Sequence, residues 1–186
     1  MEVGFITEDF NAGNGYFLPK DKRCDLYLFQ NRSFEPTSVM CPLVWCDNNA
    51  GEIDALDIMR SGGFIVTRAI AEVIMSFDPY GIECYPAQLT CNGDDTRDNR
   101  YFLNVNNIQD VVDQERTQQS TRFFLSEEKL KALPEHKRHV FRPLGMNQYY
   151  FSIELFDALA NLAREGQIHT SLIAYTFYPS DEAPNP

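Results

Sequence analysis

An α+β fold, with a mixed and mostly antiparallel sheet packed against two or three helices, is what this 186-residue sequence predicts, on three observations. Short runs of aromatic and β-branched residues, such as Phe64-Ile65-Val66, Tyr101-Phe102-Leu103-Asn104-Val105 and Thr170 to Tyr178, recur between turn-forming residues, as strands do. Ile70, Val73, Ile74 and Phe77 fall at helical spacing, which marks an amphipathic helix. Three segments pass from an aromatic strand through a hydroxyl cap into a helix: Gly63 to Thr67, Phe123 to Ser126, and Tyr149 to Ser152. The first and last are followed by strands ending in Tyr85-Pro86 and Tyr178-Pro179, which hints at a duplicated strand-helix-strand unit and favours mixed sheet over an all-α or all-β architecture.

Taken in order, Gly15 to Leu18 and Asp25 to Phe29 read as short strands or an extended arm, so residues 1–42 are the least regular part of one domain spanning 1–186. Pro42 to Cys46 is a strand, and Asp47-Asn48-Asn49-Ala50-Gly51 a loop of residues that tolerate left-handed backbone. Thr67 caps the first helix, and Asp78-Pro79-Tyr80-Gly81 stops it. Ile82 to Leu89 alternates as a strand, with Pro86 marking an edge or a bulge. Cys91 to Asn99 is expected to be an exposed polar loop, and Ile108, Val111 and Val112 a helical turn or two. Ser126 caps a helix to Leu133, closed by Pro134, and acids in its first turn oppose the positive end of its dipole. His139 to Arg142 and Gln148 to Phe151 are strands. Ser152 caps a longer helix from Ile153 to about Arg164, stopped by Gly166. The tail from Ser180 to Pro186 should fray.

Composition narrows the function. Hydrophobic residues form 44% of the chain and aromatics 13%, enough to offset the entropy of ordering one core. No apolar run approaches the roughly 20 residues that span a bilayer. Sixteen Lys plus Arg against 27 Asp plus Glu give a net charge of −11, which repels nucleic acid and anionic membranes and suits a basic partner. Five cysteines and an N-terminus without a secretion signal predict a cytoplasmic protein with reduced thiols.

The order of elements resembles a family of bacterial immunity proteins that accompany polymorphic and contact-delivered toxins. The residues that carry the resemblance are Tyr101 to Val105 with Asp110-Val111-Val112-Asp113, Phe123 to Lys131, His139 to Arg142, and Tyr150-Phe151-Ser152, within a span from about Gly63 to Phe177. It implies an antitoxin that binds and neutralises a cognate toxin or effector by stoichiometric association. The matching positions are strand and cap residues, so the resemblance carries over no catalytic or ligand-binding residue. Residues 1–40 fall outside the match and are free to supply toxin-specific contacts.

Chemistry-bearing patterns are sparse, and neither an enzyme, a cofactor nor a metal is predicted. Cys41 and Cys46, like Cys84 and Cys91, are too far apart for a zinc knuckle. His136 and His139 flank Lys137-Arg138, whose charge disfavours metal, and read as surface residues. Gly62-Gly63 lacks the rest of a phosphate loop. Asp94, Asp95 and Asp98 lack the spacing of a calcium loop. The candidate toxin-binding residues are therefore three acidic clusters, Glu52, Asp54 and Asp57, then Asp94, Asp95 and Asp98, then Asp110, Asp113 and Glu115, which would mimic a polyanion before a basic cleft. Tyr16, Phe17, Tyr27 and Phe29 of the arm, with Asp47, complete the set, since binding surfaces favour rigid aromatics. Trp45, in an apolar strand, reads as core. The alternatives are a small enzyme or metal-dependent domain whose site is assembled from distant residues, or an acidic adaptor for another basic protein; a homodimer fits any of them.

Overall fold

The computed structural model describes residues 3–7, 17–19, 41–45, 57–59, 64–91, 95–119, 123–146, 148–168 and 171–175. Two sheets and two principal helices organise them, an α+β architecture in which most strand pairs are antiparallel.

The first sheet has the order β11-β1-β10-β9-β8, with β1 Val3–Thr7, β8 Ile108–Gln109, β9 Val140–Pro143, β10 Tyr150–Ser152 and β11 Ser171–Tyr175. The second has the order β2-β3-β6-β7-β5-β4, with β2 Phe17–Pro19, β3 Cys41–Trp45, β4 Ile58–Met59, β5 Phe64–Thr67, β6 Ile82–Cys91 and β7 Asp95–Val105. Only the β3–β6 and β8–β9 pairings among them are parallel.

Helix α1 (Arg68–Ser76) follows β5, and helix α5 (Ile153–Arg164) follows β10. The echo in the sequence has a topological counterpart in these two units. In β5-α1-β6, both strands pair antiparallel with β7, which lies between them. In β10-α5-β11, both strands pair antiparallel with β1 in the same way. Each unit is thus a strand-helix-strand crossover whose two parallel strands are split by a third, antiparallel one.

Burial explains why these segments form. Ile70, Ala71 and Ile74 of α1 and Leu155 and Leu159 of α5 share one core with Val66, Leu103, Val105, Val140 and Phe151, so a single apolar cluster joins both helices to both sheets. Each Val, Leu, Ile or Phe side chain among them contributes about 1.5–3 kcal/mol when fully buried. A second cluster packs Val111, Leu125, Leu130, Phe141 and Tyr150 against Val3. Ser152 caps α5 with its Oγ accepting from the Leu155 amide, and Gly166 ends it at φ +71. Ser126 likewise caps the short helix α3 (Glu127–Ala132). Thr67 occupies the cap position of α1 without a side-chain cap bond.

The structure changes two expectations and narrows two others. Residues 1–42, expected as short strands or an arm, include β1, which lies inside the first sheet between β10 and β11, and β2. The stretch from Cys91 to Asn99 is not one loop, since β6 and β7 pair as far as Cys91↔Asp95, with a register shift between Ala87 and Leu89 just past Pro86. That shift matches the bulge expected at Pro86, and β3 pairs with β6 beyond it, from Ala87 to Thr90. Residues 108–112 are extended rather than helical: Val111 and Val112 are both buried, and the Ser126 amide donates to Val111 O while Asp113 donates to Phe124 O. A helical face could not bury these two neighbours while fastening their backbone to another strand-like segment.

Candidate interaction surface

The segment from Asn107 to Glu115 brings the third acidic cluster onto a firm base. Asn107 is 1% exposed, and its side-chain amide donates to the carbonyls of Lys137 (2.8 Å) and Val140 (2.6 Å), which fixes the start of the segment against β9. The Arg142 and Leu144 amides donate to the carbonyls of Asn107 and Gln109, both at 2.9 Å. On its other flank, Val112 bridges to Leu125. Val111 and Leu125 bury beneath, so the segment is clamped from both sides and from below.

Above this base the side chains face water. Asp110 is 63% exposed and meets the Lys129 ammonium at 3.3 Å, and Lys129 also donates to Val112 O. Asp113 caps helix α2 (Gln114–Gln118), its Oδ1 accepting from the Arg116 amide at 3.0 Å, and Glu115 is exposed in the first turn. Ile108, Phe123 and Leu144, all on or beside the segment, are 39%, 53% and 58% exposed. Large apolar side chains left in water beside acids on a fixed backbone suit protein recognition, because little conformational freedom remains to be lost on binding. The Arg116 guanidinium lies 4.5 Å over the Phe124 ring and helps to hold the neighbouring turn.

Of the other anticipated contact residues, Asp57, Phe17, Asp95 and Asp98 lie among the described residues. Asp57 is buried at 5% exposure, next to β4, with its carbonyl accepting from the Thr67 amide, so it is not part of an open acidic face. Phe17 lies in β2, and Asp95 and Asp98 lie in β7. Tyr16, Tyr27, Phe29, Asp47, Glu52, Asp54 and Asp94 fall outside the described residues, as does the tail. No group of three or more His, Cys, Asp or Glu side chains among the described residues is arranged to hold a metal ion.

Sequence reasoning passed over several residues. Asn107 carries no motif, and only its two carbonyl partners reveal its role. Ile108, expected on the apolar side of a helical turn, and Leu144, singled out by no sequence pattern, both stand in water. His139 is not a plain surface residue: it is partly buried, packs edge-on against Phe77 at 5.4 Å between centroids, and lies 3.2 Å from Ser152 Oγ through Nδ1. It lines a cavity of about 100 Å³ with Arg138, Ser152 and Ile153. No helix among the described residues is long and apolar enough to cross a membrane.

A scan against protein-family models finds no match to the chain, and searches of curated proteins and of solved structures find none either.

Proposed function

We propose that the protein is an immunity protein, which binds a cognate bacterial toxin or effector stoichiometrically and neutralises it by association rather than by catalysis. The observation that carries this reading is the exposure of Ile108, Phe123 and Leu144 beside Asp110, Asp113 and Glu115 on a clamped backbone segment. Apolar anchors supply binding energy and surrounding acids select a basic partner and speed encounter, a division of labour common at protein interfaces. The net charge of −11 extends the same preference to the whole molecule. The resemblance of Tyr101 to Val105, Phe123 to Lys131 and Tyr150 to Ser152 to immunity proteins points the same way; Phe102, Leu103, Leu125 and Phe151 within it are buried, and so speak for the framework. On this reading the protein acts in the cytoplasm of the toxin-producing cell, before the toxin reaches its target.

Co-expression with the product of the adjacent gene tests it. Host survival and a complex that survives a salt wash are the expected outcome. The absence of both rescue and binding would remove the antitoxin reading.

A further inference from the structure

Tyr80, Ile108 and Leu144 stand on backbone joined by consecutive hydrogen bonds. The Asn106 amide donates to Gly81 O at 2.8 Å, next to Tyr80, and the Leu144 amide donates to Gln109 O at 2.9 Å, next to Ile108. The three side chains are 49%, 39% and 58% exposed, so they form an apolar band rather than scattered surface positions. Tyr80 is a firm anchor at one end. The Lys137 ammonium lies 4.7 Å from its ring centroid, His136 packs edge-on at 5.7 Å, and the Tyr80 amide donates to His136 O at 3.2 Å. A ring held in this way while half in water gives up little freedom when a partner covers it.

The two ends of the band carry opposite charge. His136 and Lys137 at the Tyr80 end belong to helix α4 (Glu135–Arg138), where Lys137 and Arg138 outnumber Glu135. Beyond Ile108 come three acids: Asp110 meets Lys129, Asp113 caps α2, and Glu115 stands exposed in the first turn of that helix. A surface that is basic at one end, apolar between and acidic at the other becomes its own complement when a copy is turned by a two-fold rotation.

We infer that the protein forms a two-fold homodimer through this band, with Ile108 near the axis and the α4 end of each copy facing the acidic segment of the other. Repulsion between two chains at −11 is spread over the whole surface and is screened beyond about 8 Å at physiological salt, whereas the facing charges meet at contact. The toxin proposed above would cover the same side chains, so the dimer is the resting form that it displaces. That exchange rests on the antitoxin reading; the dimer does not.

Sedimentation velocity of the full chain alone, from about 5 to about 500 μM near physiological salt, tests the dimer without any toxin. A concentration-dependent shift from monomer to dimer and no further is expected. A monomer throughout, or growth beyond the dimer, overturns the inference. Lys137→Glu and Glu115→Lys, each alone and with an unchanged circular dichroism spectrum, should weaken the dimer by about tenfold, because a two-fold interface counts each reversal twice. Mixing the two variants in equal amounts should restore it, since each reversed charge then faces its opposite. Single variants as dimeric as the wild type, or a mixture that stays monomeric, overturn the charge pairing and with it the inference. Leu144→Asp tests the apolar centre instead: a monomer is expected, and a dimer of unaltered affinity overturns the assignment.

Discussion

At the scale of single residues, close approach and hydrogen-bond satisfaction decide more than residue type. A Cβ on Gly4 would stand 1.9 Å from Phe156 Cδ2, so α5 lies on β1 at a distance only a glycine allows. Gly4→Ala should destabilise the protein by about 1–3 kcal/mol, the usual range for overpacking. Chemical denaturation would measure it, and Phe156→Leu should recover part of the loss in a double-mutant cycle. Tyr85 offers a test by pH. Burial, with the Glu83 carboxylate adding to it, pushes its phenol from 10.0 up to about 12. A raised phenol favours the folded state below pH 10, where the ring is neutral in both states, and that contribution fades as pH climbs through 12. In an absorbance titration one tyrosine should ionise last, and Tyr85→Phe should remove that step while keeping the ring stacked on Phe102.

Elements differ in how far local signals reach. Helix α5 was legible end to end, because its cap Ser152, its apolar face Leu155 and Leu159, and its stop Gly166 all act within a turn or two. Strand β1 was not, since Val3-Gly4-Phe5-Ile6-Thr7 is short and its partners lie at Phe151, Ser152 and 171–175, at the far end of the chain. Deleting residues 1–7 would leave β10 and β11 without the strand that joins them and would strip Val3 from the second core cluster. The truncated chain should lose cooperative thermal unfolding, whereas removal of a mere arm would leave the transition intact. Polar Asp95 to Asn99 read as loop for a related reason: their strand state comes from pairing with β6, and no apolar alternation announces it.

For the whole molecule, the proposed partner surface and the net charge make joint predictions. Leu144→Asp should weaken the toxin complex by about 2 kcal/mol or more, the range of interface hot spots, while leaving the melting temperature nearly unchanged because the side chain is 58% exposed. Competition binding and a thermal melt together would check it. Raising salt from 0.05 M to 0.5 M should slow association with little effect on dissociation, since the long-range field of a chain at −11 acts on encounter. Association insensitive to salt would argue against a basic partner. If a second copy of this chain covers Ile108 and Leu144 instead, Leu144→Asp would convert a dimer to a monomer in sedimentation.

The sequence by itself determined the α+β class, helices α1, α3 and α5 with the caps Ser126 and Ser152, and the acidic balance, because periodicity, capping and charge are local or additive quantities. Only the tertiary structure decided that β1 is interior, that Asp57 is buried, that Asn107 ties the 107–115 segment to β9, and that Arg138, His139 and Ser152 line one cavity. Those facts depend on which segments meet, and contact between residues from 13 positions apart, as His139 and Ser152, to well over a hundred, as Val3 and Tyr175, leaves no mark within either segment.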